Sequence, residues 1–572
     1  MSTLLEQASL VMIPSGYKED VVYSQIPTSG AGDLSFTRAS NGTRINSAGL
    51  VEVCPWNFIL QSQSFNIGSW GYTNYTLTPN STTAPDGTLT ADLFTLNNGI
   101  VAGAGSAIDQ GLSQLGQITL SVYFKNNNST GKYVIQDGNG RGIEVNVVTL
   151  AFTNLSSAVG SVESVGNGWY RIITTITQTS SYYFYSYQDG MTGDGSKGIY
   201  LWGAQLNIGS TAKPYFPTTD RLNVPRLTYQ NGGGGCPSLL LEKQSTNLVT
   251  YSEQLDNAAW STVGSITITA NNATSPDGTQ NADLFSQPSS SAYMYQNLGV
   301  FSGTYTTSIF VKKGSQSSIA FGIVAGGFTG GMSVKFNLDT ETFSTPTNYA
   351  NWTSLSATYQ NYGNGWYRLN LTGTTATSTT YFHVLGSLLE SFAVNAYVYG
   401  AQVEASSYPT SYIPTTSSSA TRVADDITNT FLQSGGFLGS NTGAMFVSGT
   451  AYNLLGNVVL NFVLTADNNT TKSFLFDTSS NQIRLRTWDA SSNLQSLTSG
   501  TITGNYKLCV SWTSSSIKFF VNGSLIGTIS QTTYPYTTIK PESTSYSNNI
   551  WGEVVFFPTN IADADAIALT TI

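Results

Sequence analysis

Residues 57–70 read N-F-I-L-Q-S-Q-S-F-N-I-G-S-W, and residues 247–260 read N-L-V-T-Y-S-E-Q-L-D-N-A-A-W. Each stretch opens a series of landmarks that returns in the same order. The first series continues with A-P-D-G-T-L-T-A-D-L-F (84–94), G-N-G-W-Y-R (166–171) and L-W-G-A-Q (201–205). The second continues with S-P-D-G-T-Q-N-A-D-L-F (275–285), G-N-G-W-Y-R (363–368) and V-Y-G-A-Q (398–402). An offset of about 190 residues is far beyond the roughly 20–50 residues of a solenoid repeat, so each copy is a whole domain. The 572 residues then divide into a lead-in (1–53), a first domain (54–216), a linker (217–245), a second domain (246–416), a second linker (417–434) and a third domain (435–572).

Only 10% of the residues are charged, against about 25% in an average globular protein, while 12% are aromatic and Gly, Ser, Thr and Asn are abundant. That composition suits an all-β chain with many turns. Within each copy the apolar segments are short, rich in Val, Ile, Thr, Tyr and Phe, and punctuated by Gly, Asn, Asp and Pro, the pattern of an antiparallel β-sandwich. Ile118–Lys125 alternates cleanly, with Ile118, Leu120, Val122 and Phe124 on one face, and Thr307–Lys312 answers it in the second copy. In G-N-G-W-Y-R the Asn and second Gly tolerate positive φ and suit a tight turn before a strand. The lead-in holds a short helix or strand within Met1–Met12 and two short strands, Val21–Gln25 and Leu34–Thr37. It is too small for a core of its own and is expected to act as an attachment arm.

Net charge is -9, so the chain carries no basic footprint for nucleic acid or an anionic membrane. No stretch is apolar and long enough to span a bilayer, and the start lacks the pattern of a secretory signal, so synthesis is expected in the cytoplasm. Cys54, Cys236 and Cys509 have neither zinc nor disulfide spacing and are expected to be small buried residues.

What both copies keep is expected to be architecture: Trp70 and Trp260, Trp169 and Trp366, Asp92 and Asp283. What differs is where specificity is expected. Residues 182–187 read Y-Y-F-Y-S-Y, which alternation splits into Tyr183, Tyr185 and Tyr187 on one face and Tyr182 and Phe184 on the other. A half-buried strand needs one apolar face, so the second set of rings is expected to meet a ligand or another chain, two buried sheet faces or a domain contact being the plainer alternative. The second copy has Y-F-H-V-L (381–385), which sets His383 opposite Tyr185, and the divergent S-A-Y-M-Y-Q, with Tyr293 and Tyr295. Tyr183, Tyr185, Tyr187, Tyr293 and Tyr295 are the candidate ligand-binding residues.

Catalytic patterns fail. His383 is the single histidine, and there is no G-x-S-x-G, H-E-x-x-H or phosphate loop. Gly232–Gly235 lacks a following lysine and helix and reads as a flexible link. The carboxylate pairs Asp425–Asp426 and Asp563–Asp565 fall in a linker and near the C-terminus, where no glycosidase cleft is indicated. No catalytic residue and no cofactor is expected. Calcium remains open, because lectin-like sandwiches clamp loops with Asp, Asn and carbonyl oxygens, although no D-x-D-x-D-G loop is present.

R-A-S-N-G-T-R-I-N-S-A-G-L-V-E (38–52), G-C-P-S-L-L-L-E-K-Q-S-T-N-L (235–248), the landmarks of the second copy and Y-P-T-S-Y-I-P-T-T (408–416) together resemble the carbohydrate-binding-module-like domains of tailed-phage structural proteins. The opening L-L-E-Q-A-S-L-V-M-I-P-S-G-Y-K-E-D (4–20) is similar to virion proteins of crAss-like phages. The resemblance implies jelly-roll sandwiches, a place on the virion surface after synthesis in the host bacterial cytoplasm, and a role in meeting surface glycans. It hands over no ligand residues.

In the third domain Ala444–Tyr452, Val458–Thr465, Lys472–Phe476, Gln482–Trp488, Lys507–Trp512 and Ile517–Val521 are expected strands, and Asn522-Gly523 a hairpin turn. Y-K-L-C-V-S-W-T-S-S-S-I-K-F-F-V-N-G-S-L-I-G-T (506–528) and the closing W-G-E-V-V-F-F-P-T-N-I-A-D-A-D-A-I-A-L (551–569) resemble the concanavalin A-like, laminin-G-like sandwich, which implies a closing strand at Gly552–Phe557 and a short helix at Ala562–Leu569. The expectation is therefore three tandem antiparallel β-sandwiches, jelly-roll and lectin-like, behind an extended N-terminal arm. The expected function is a non-enzymatic virion surface protein of fibre or adhesin type that presents carbohydrate-binding domains to host or environmental glycans. A purely architectural head-fibre, collar or decoration protein is the alternative, and a capsule depolymerase the third reading. Expected partners are other virion proteins through the arm, surface glycans and further copies of the chain as a dimer or trimer, with no nucleic acid and no membrane insertion.

Overall fold

The computed structural model describes residues 2–572 except 113–115, 179–181, 289–290, 429–431, 433, 452–461, 467–468, 480–481, 489–490, 503 and 542–548. Strands take up 55% of the residues and helices 3%, so sheets alone build the layers. The chain forms two compact units: Val53–Leu222 is one, and Met1–Glu52 with Asn223–Ile572 is the other. The first repeat thus interrupts, in sequence, a unit whose parts lie on either side of it.

In the unit Val53–Leu222 two six-stranded antiparallel sheets pack face to face. One runs Tyr75–Thr82, Ala91–Leu96, Gly198–Ile208, Gly116–Asn127, Trp169–Gln178, Val159–Gly166. The other runs Gly71–Tyr72, Ile108–Leu112, Tyr182–Asp189, Lys132–Gln136, Gly142–Asn146, Phe152–Leu155. The alternation read in residues 118–124 is what fills the interior. Ile118, Leu120, Val122 and Phe124 are all fully buried and share one core with Phe184, Ile199 and Leu201. The Asn-Gly turns are as expected, with Asn167 at φ 53° and Gly168 at 77°, and Asn364 at 52° and Gly365 at 79°.

The second repeat has the same layers, fused by two long strands. Tyr293–Lys313 and Trp366–Gly386, 21 residues each, pair antiparallel from Tyr293↔Gly386 to Lys312↔Trp366, with irregularities at Asn297/Gly299 and Phe301/Gly303. Such breaks in register let one strand bend out of one layer into the next.

The third sandwich stacks an eight-stranded sheet on a five-stranded one. Gly443–Ala451, Gly504–Thr513, Ser516–Val521 and Asn549–Phe557 form the centre of the first, and Phe462–Ala466, Asn469–Ser479 and Gln482–Trp488 that of the second. The expected segment 458–461 and Tyr452 lie outside the described residues. The closing helix is Asp563–Thr570, whose Ala566 is buried with Phe446, Cys509 and Phe520. The edge of the eight-stranded sheet is completed by pieces from far upstream. Leu10–Met12 pairs with Asn549–Phe557 (Leu10↔Phe556), and Ser238–Leu241 pairs with the same strand (Leu239↔Trp551), followed by Arg226–Thr228. Segments expected as arm and linker thus carry strands of this sheet.

A buried ion network holds these upstream and downstream pieces together. The Arg38 guanidinium donates to Asp425 Oδ1 at 2.8 Å and the Arg226 guanidinium to Asp425 Oδ2 and, at 2.7 Å, to Glu242 Oε2; Arg422 reaches the same Glu242 oxygen at 3.1 Å. Every side chain in it is at most 1% exposed. Burying these five charges is costly unless each is paired, and removal of one partner strands the others, an effect of about 3–5 kcal/mol for buried ion pairs. Asp425 therefore corrects its reading as a linker acid. Two further readings are corrected. Gly232–Gly235 is no loose link: all four have φ between 73° and 86°, and a Cβ on Gly233 would sit 2.7 Å from the backbone of Ala48 and Gly49. The run lets two turns meet backbone to backbone. Cys236, next to that turn, is exposed, whereas Cys54 and Cys509 are buried.

Because Glu52 and Asn223 flank the interrupting unit and Arg38 accepts from and donates to Asn223 (2.9 and 2.8 Å), a chain with 53–222 excised and Glu52 joined to Asn223 is expected to fold. Circular dichroism and a cooperative melt check this: a retained β spectrum with a single sharp transition is the expected outcome, and an unfolded product contradicts it.

Candidate functional site

The residues kept by both copies turn inward and satisfy backbone. Asn57 Nδ2 donates to the carbonyls of Ala204 (3.1 Å) and Phe216 (2.9 Å), and its Oδ1 accepts from the N–H of Ile59 (3.1 Å) and Leu206 (3.2 Å). Asn247 repeats this with Ala401 (3.0 Å), Ile413 (2.9 Å), Val249 (3.1 Å) and Val403 (3.1 Å). Asp92 accepts from the N–H of Phe65 and Asn80, and Asp283 from those of Leu255 and Asn271. Burial raises both carboxyls, that of Asp283 to about 6, against the opposing pull of those N–H donors. The indole N–H of Trp169 donates to Thr83 O and that of Trp366 to Thr274 O, both at 3.1 Å. None of these groups is left over for a ligand.

The two copies are brought into register by a pair that sequence reading missed. Gln110 accepts from the N–H of Leu60 (2.7 Å) and donates to its carbonyl (2.9 Å), and Gln296 does the same to Thr250 (2.7 and 2.9 Å). Gln110 lies opposite Phe184, and Gln296 opposite His383. His383 therefore answers Phe184 and not Tyr185: the alignment was one residue out, and one residue in a strand reverses the face. The packing agrees. Trp70 meets Phe184 edge-on at 5.4 Å, and Trp260 meets His383 edge-on at 5.8 Å.

His383 is fully buried, with Nδ1 3.1 Å from Thr307 Oγ1, and burial pushes its pKa down to about 4 from the ordinary 6.5. The neutral ring is part of the core. Its contribution to stability is complete above pH 6.5 and is lost as pH falls toward 4, because the unfolded chain then binds the proton that the fold excludes. Asp283 acts in the opposite sense, contributing below pH 3.8 and losing that contribution as pH rises through about 6, so the effect is read as a difference. His383→Phe, the solution the first copy uses, is expected to flatten the acid-side loss by about 3 kcal/mol, measured as urea unfolding of both proteins at pH 7 and pH 4.

The outer face of the same strand pair carries the divergent residues. In the first copy Tyr185 lies opposite Asp109, and the half-buried rings of Tyr185 and Tyr187 stand 5.9 Å apart. The Tyr185 hydroxyl donates to the carbonyl of Ala104, and burial followed by the Asp109 charge raises its pKa. Tyr183 is described only as a position in this strand. In the second copy Met294 and Gln296 are buried, while Tyr293 and Tyr295, 6.0 Å apart, face outward. Asp109 and Tyr185 thus become Tyr295 and Val384, so the aromatic side of the cross-strand pair changes strands between copies.

Around Tyr293 and Tyr295 the second copy forms a hollow of about 220 Å³. Phe328 stands edge-on to Tyr293 at 5.2 Å and 83°, and Phe382 edge-on to Tyr295 at 5.7 Å and 81°. Val324 and Val384, both almost fully buried, belong to the same lining, and Val263 comes from the neighbouring strand, opposite Tyr293. Phe328 ends the turn Gly326–Phe328 with φ 56°, a left-handed conformation that costs a bulky residue about 1–3 kcal/mol. The first copy has the polar turn D-G-N-G-R there, closed by Asp137 and Arg141 at 2.9 Å. Phe328 and Phe382 were not foreseen; a lone Phe inside G-G-F-T-G-G (326–331) was the available signal.

Carboxyls converge at one further place. Glu253 and Asp277 both meet the Tyr399 hydroxyl, at 2.7 and 3.1 Å, and burial followed by the Asp277 charge raises Glu253 to about 7. Tyr399 and Tyr412 are buried there in a cluster with Ile45 and Val51, while Glu253 and Asp277 are half-buried at its margin. Among the described residues no group of three or more His, Cys, Asp or Glu side chains is arranged to hold a metal ion.

No known protein-family profile matches the chain, and no curated protein matches it in sequence. Among solved structures it is similar to the Ruminococcus gnavus IT-sialidase CBM40 bound to α2,3-sialyllactose, at 14% identity and a TM-score of 0.20, over 23% of this chain and 84% of that one. It is also similar to the receptor-binding domain of botulinum neurotoxin mosaic serotype C/D, at 12% identity and a TM-score of 0.21, over 25% of this chain and 39% of that one. The binding domain of botulinum neurotoxin serotype G gives 10% identity and a TM-score of 0.20, over 26% and 42%.

Proposed function

We propose that this chain is a non-enzymatic surface protein of a phage virion, of fibre or adhesin type, whose sandwiches present aromatic faces to glycans. The observation that carries the reading is the position of the divergence. Both copies commit their kept polar residues to their own backbone, and both expose tyrosine rings on the outer face of one equivalent strand pair, Tyr185 and Tyr187 in the first and Tyr293 and Tyr295 in the second. Aromatic faces take the apolar face of a sugar ring, and hydroxyls on the rim take its polar edge. Each site alone is weak, and many copies on one particle supply avidity. The virion setting rests on the resemblance of residues 38–52, 235–248 and 408–416 to phage structural proteins.

Binding of the purified chain to the surface polysaccharide of host cells tests this, with the polysaccharide sized afterwards. Saturable binding without shortening is the expected outcome. Tyr185→Ala combined with Tyr187→Ala is expected to weaken it about tenfold, equivalent to about 1.4 kcal/mol. Absence of binding in a multivalent display sinks the proposal, and a shortened polysaccharide replaces it with an enzyme.

A further inference from the structure

We infer that the hollow of the second repeat receives a methyl-bearing substituent of a neutral pyranose, an N-acetyl group or a 6-deoxy carbon, and leaves the sugar's hydroxyls outside. The inference rests on the glycan-binding reading and narrows it. Shape is the first argument. Tyr293 against Phe328 and Tyr295 against Phe382 meet at 83° and 81°, so the four rings wall a box where parallel rings would make a flat shelf. A shelf accepts a sugar face, whereas a box accepts a compact group inserted end-on. At about 220 Å³ the hollow is below the roughly 300–1,000 Å³ that encloses a whole drug-sized ligand, so it takes one end of a glycan and not a whole oligosaccharide.

Chemistry is the second argument. Val324 and Val384 line it with the four rings, and no charged side chain is in the lining among the described residues. The polar atoms offered are the two tyrosine hydroxyls and backbone, too few to replace the water around an inserted hydroxymethyl or carboxylate, so such a group would be left unsatisfied. A methyl group loses nothing there. The chain's net charge of -9 further disfavours an anionic sugar. A third argument is the backbone. Phe328 is held at φ 56° after Gly327 at 65°, a strained setting in a turn that otherwise needs no aromatic, and its ring closes one wall of the box.

Ligand-observed NMR on the full chain tests this with free N-acetylglucosamine, D-fucose, D-glucose and D-galactose as probes. The methyl-bearing sugars are expected to bind about tenfold or more tightly than their hydroxylated parents, the scale of discrimination an apolar pocket gives for one carbon, with the strongest saturation transfer on the methyl protons. The N-acetyl and 6-deoxy arms separate the two sources of methyl. Phe328→Ala and Tyr293→Ala are expected to abolish the preference, each checked for an unchanged melt. Equal binding of glucose and N-acetylglucosamine and of galactose and fucose by the unaltered chain overturns the inference, as does methyl saturation that survives in both variants. If the host polysaccharide binds while no methyl preference is seen, this inference alone falls. If neither the polysaccharide nor any probe binds, the glycan reading falls with it.

Discussion

The constraint on which both repeats depend is the need to satisfy buried backbone where the chain enters and leaves a sandwich. One asparagine does this four ways at each entry, two donations and two acceptances, as Asn57 does for Ile59, Ala204, Leu206 and Phe216 and Asn247 for their counterparts. An amide has two donors and an acceptor with two lone pairs, so its capacity is filled in both copies. Each such bond adds about 0.5–1.5 kcal/mol, and the penalty it avoids is greater still, since the loop carbonyls and N–H groups are out of reach of water. Asp92 and Asp283 do the same for a second loop, which explains why a carboxyl raised to about 6 is retained at Asp283. With those polar groups so committed, the interior swaps Phe184 for His383 while the outer face changes its aromatic pattern. There the first copy offers tyrosines from one strand beside an acid, and the second offers tyrosines from the opposite strand beside valine.

A different device holds the larger unit. Its pieces come from both sides of the interrupting repeat, and Arg38, Arg226, Glu242, Arg422 and Asp425 meet in a sealed network. Arg38 also donates to Val224 O and Ser40 O, and Arg226 to Thr43 O. Removal of any one member would leave the others buried and unpaired. The network ties the lead-in to the folded body, where Leu10–Met12 extends the eight-stranded sheet of the third sandwich and Leu34–Thr37 pairs with Asp426–Thr428.

Local features were legible in the sequence and distant ones were not. The alternation of Ile118, Leu120, Val122 and Phe124 decides a face within eight residues, and Asn167-Gly168 decides a turn within two, because sterics at that range need no partner. The strand Gln482–Trp488 was legible for the same reason, whereas the closing helix was expected from the resemblance to concanavalin A-like sandwiches. The pairing of Arg38 with Asp425 spans 387 positions, and nothing local marks either as buried. Gly232–Gly235 read as flexible because a glycine run looks the same whether it is loose or pressed against Ser47–Gly49. His383 was set against Tyr185 by counting from landmarks across loops of unequal length, and the slip hid the box, since Phe382 and Val384 then fell on the wrong face. Tyr293 and Tyr295 were found by divergence alone, and the rings that complete their surroundings came from a turn and a strand remote in sequence.

The central claim is that function lies on the outer face of one equivalent strand pair in each repeat and not in what the repeats share. Hydrogen exchange of the full chain with and without saturating host polysaccharide tests it most directly. The account predicts that added protection gathers at 107–112 with 182–188, and at 293–297 with 326–328 and 381–385. Protection confined to the shared turns at 84–90, 166–169, 275–281 and 363–366, or spread over the third sandwich alone, would contradict it.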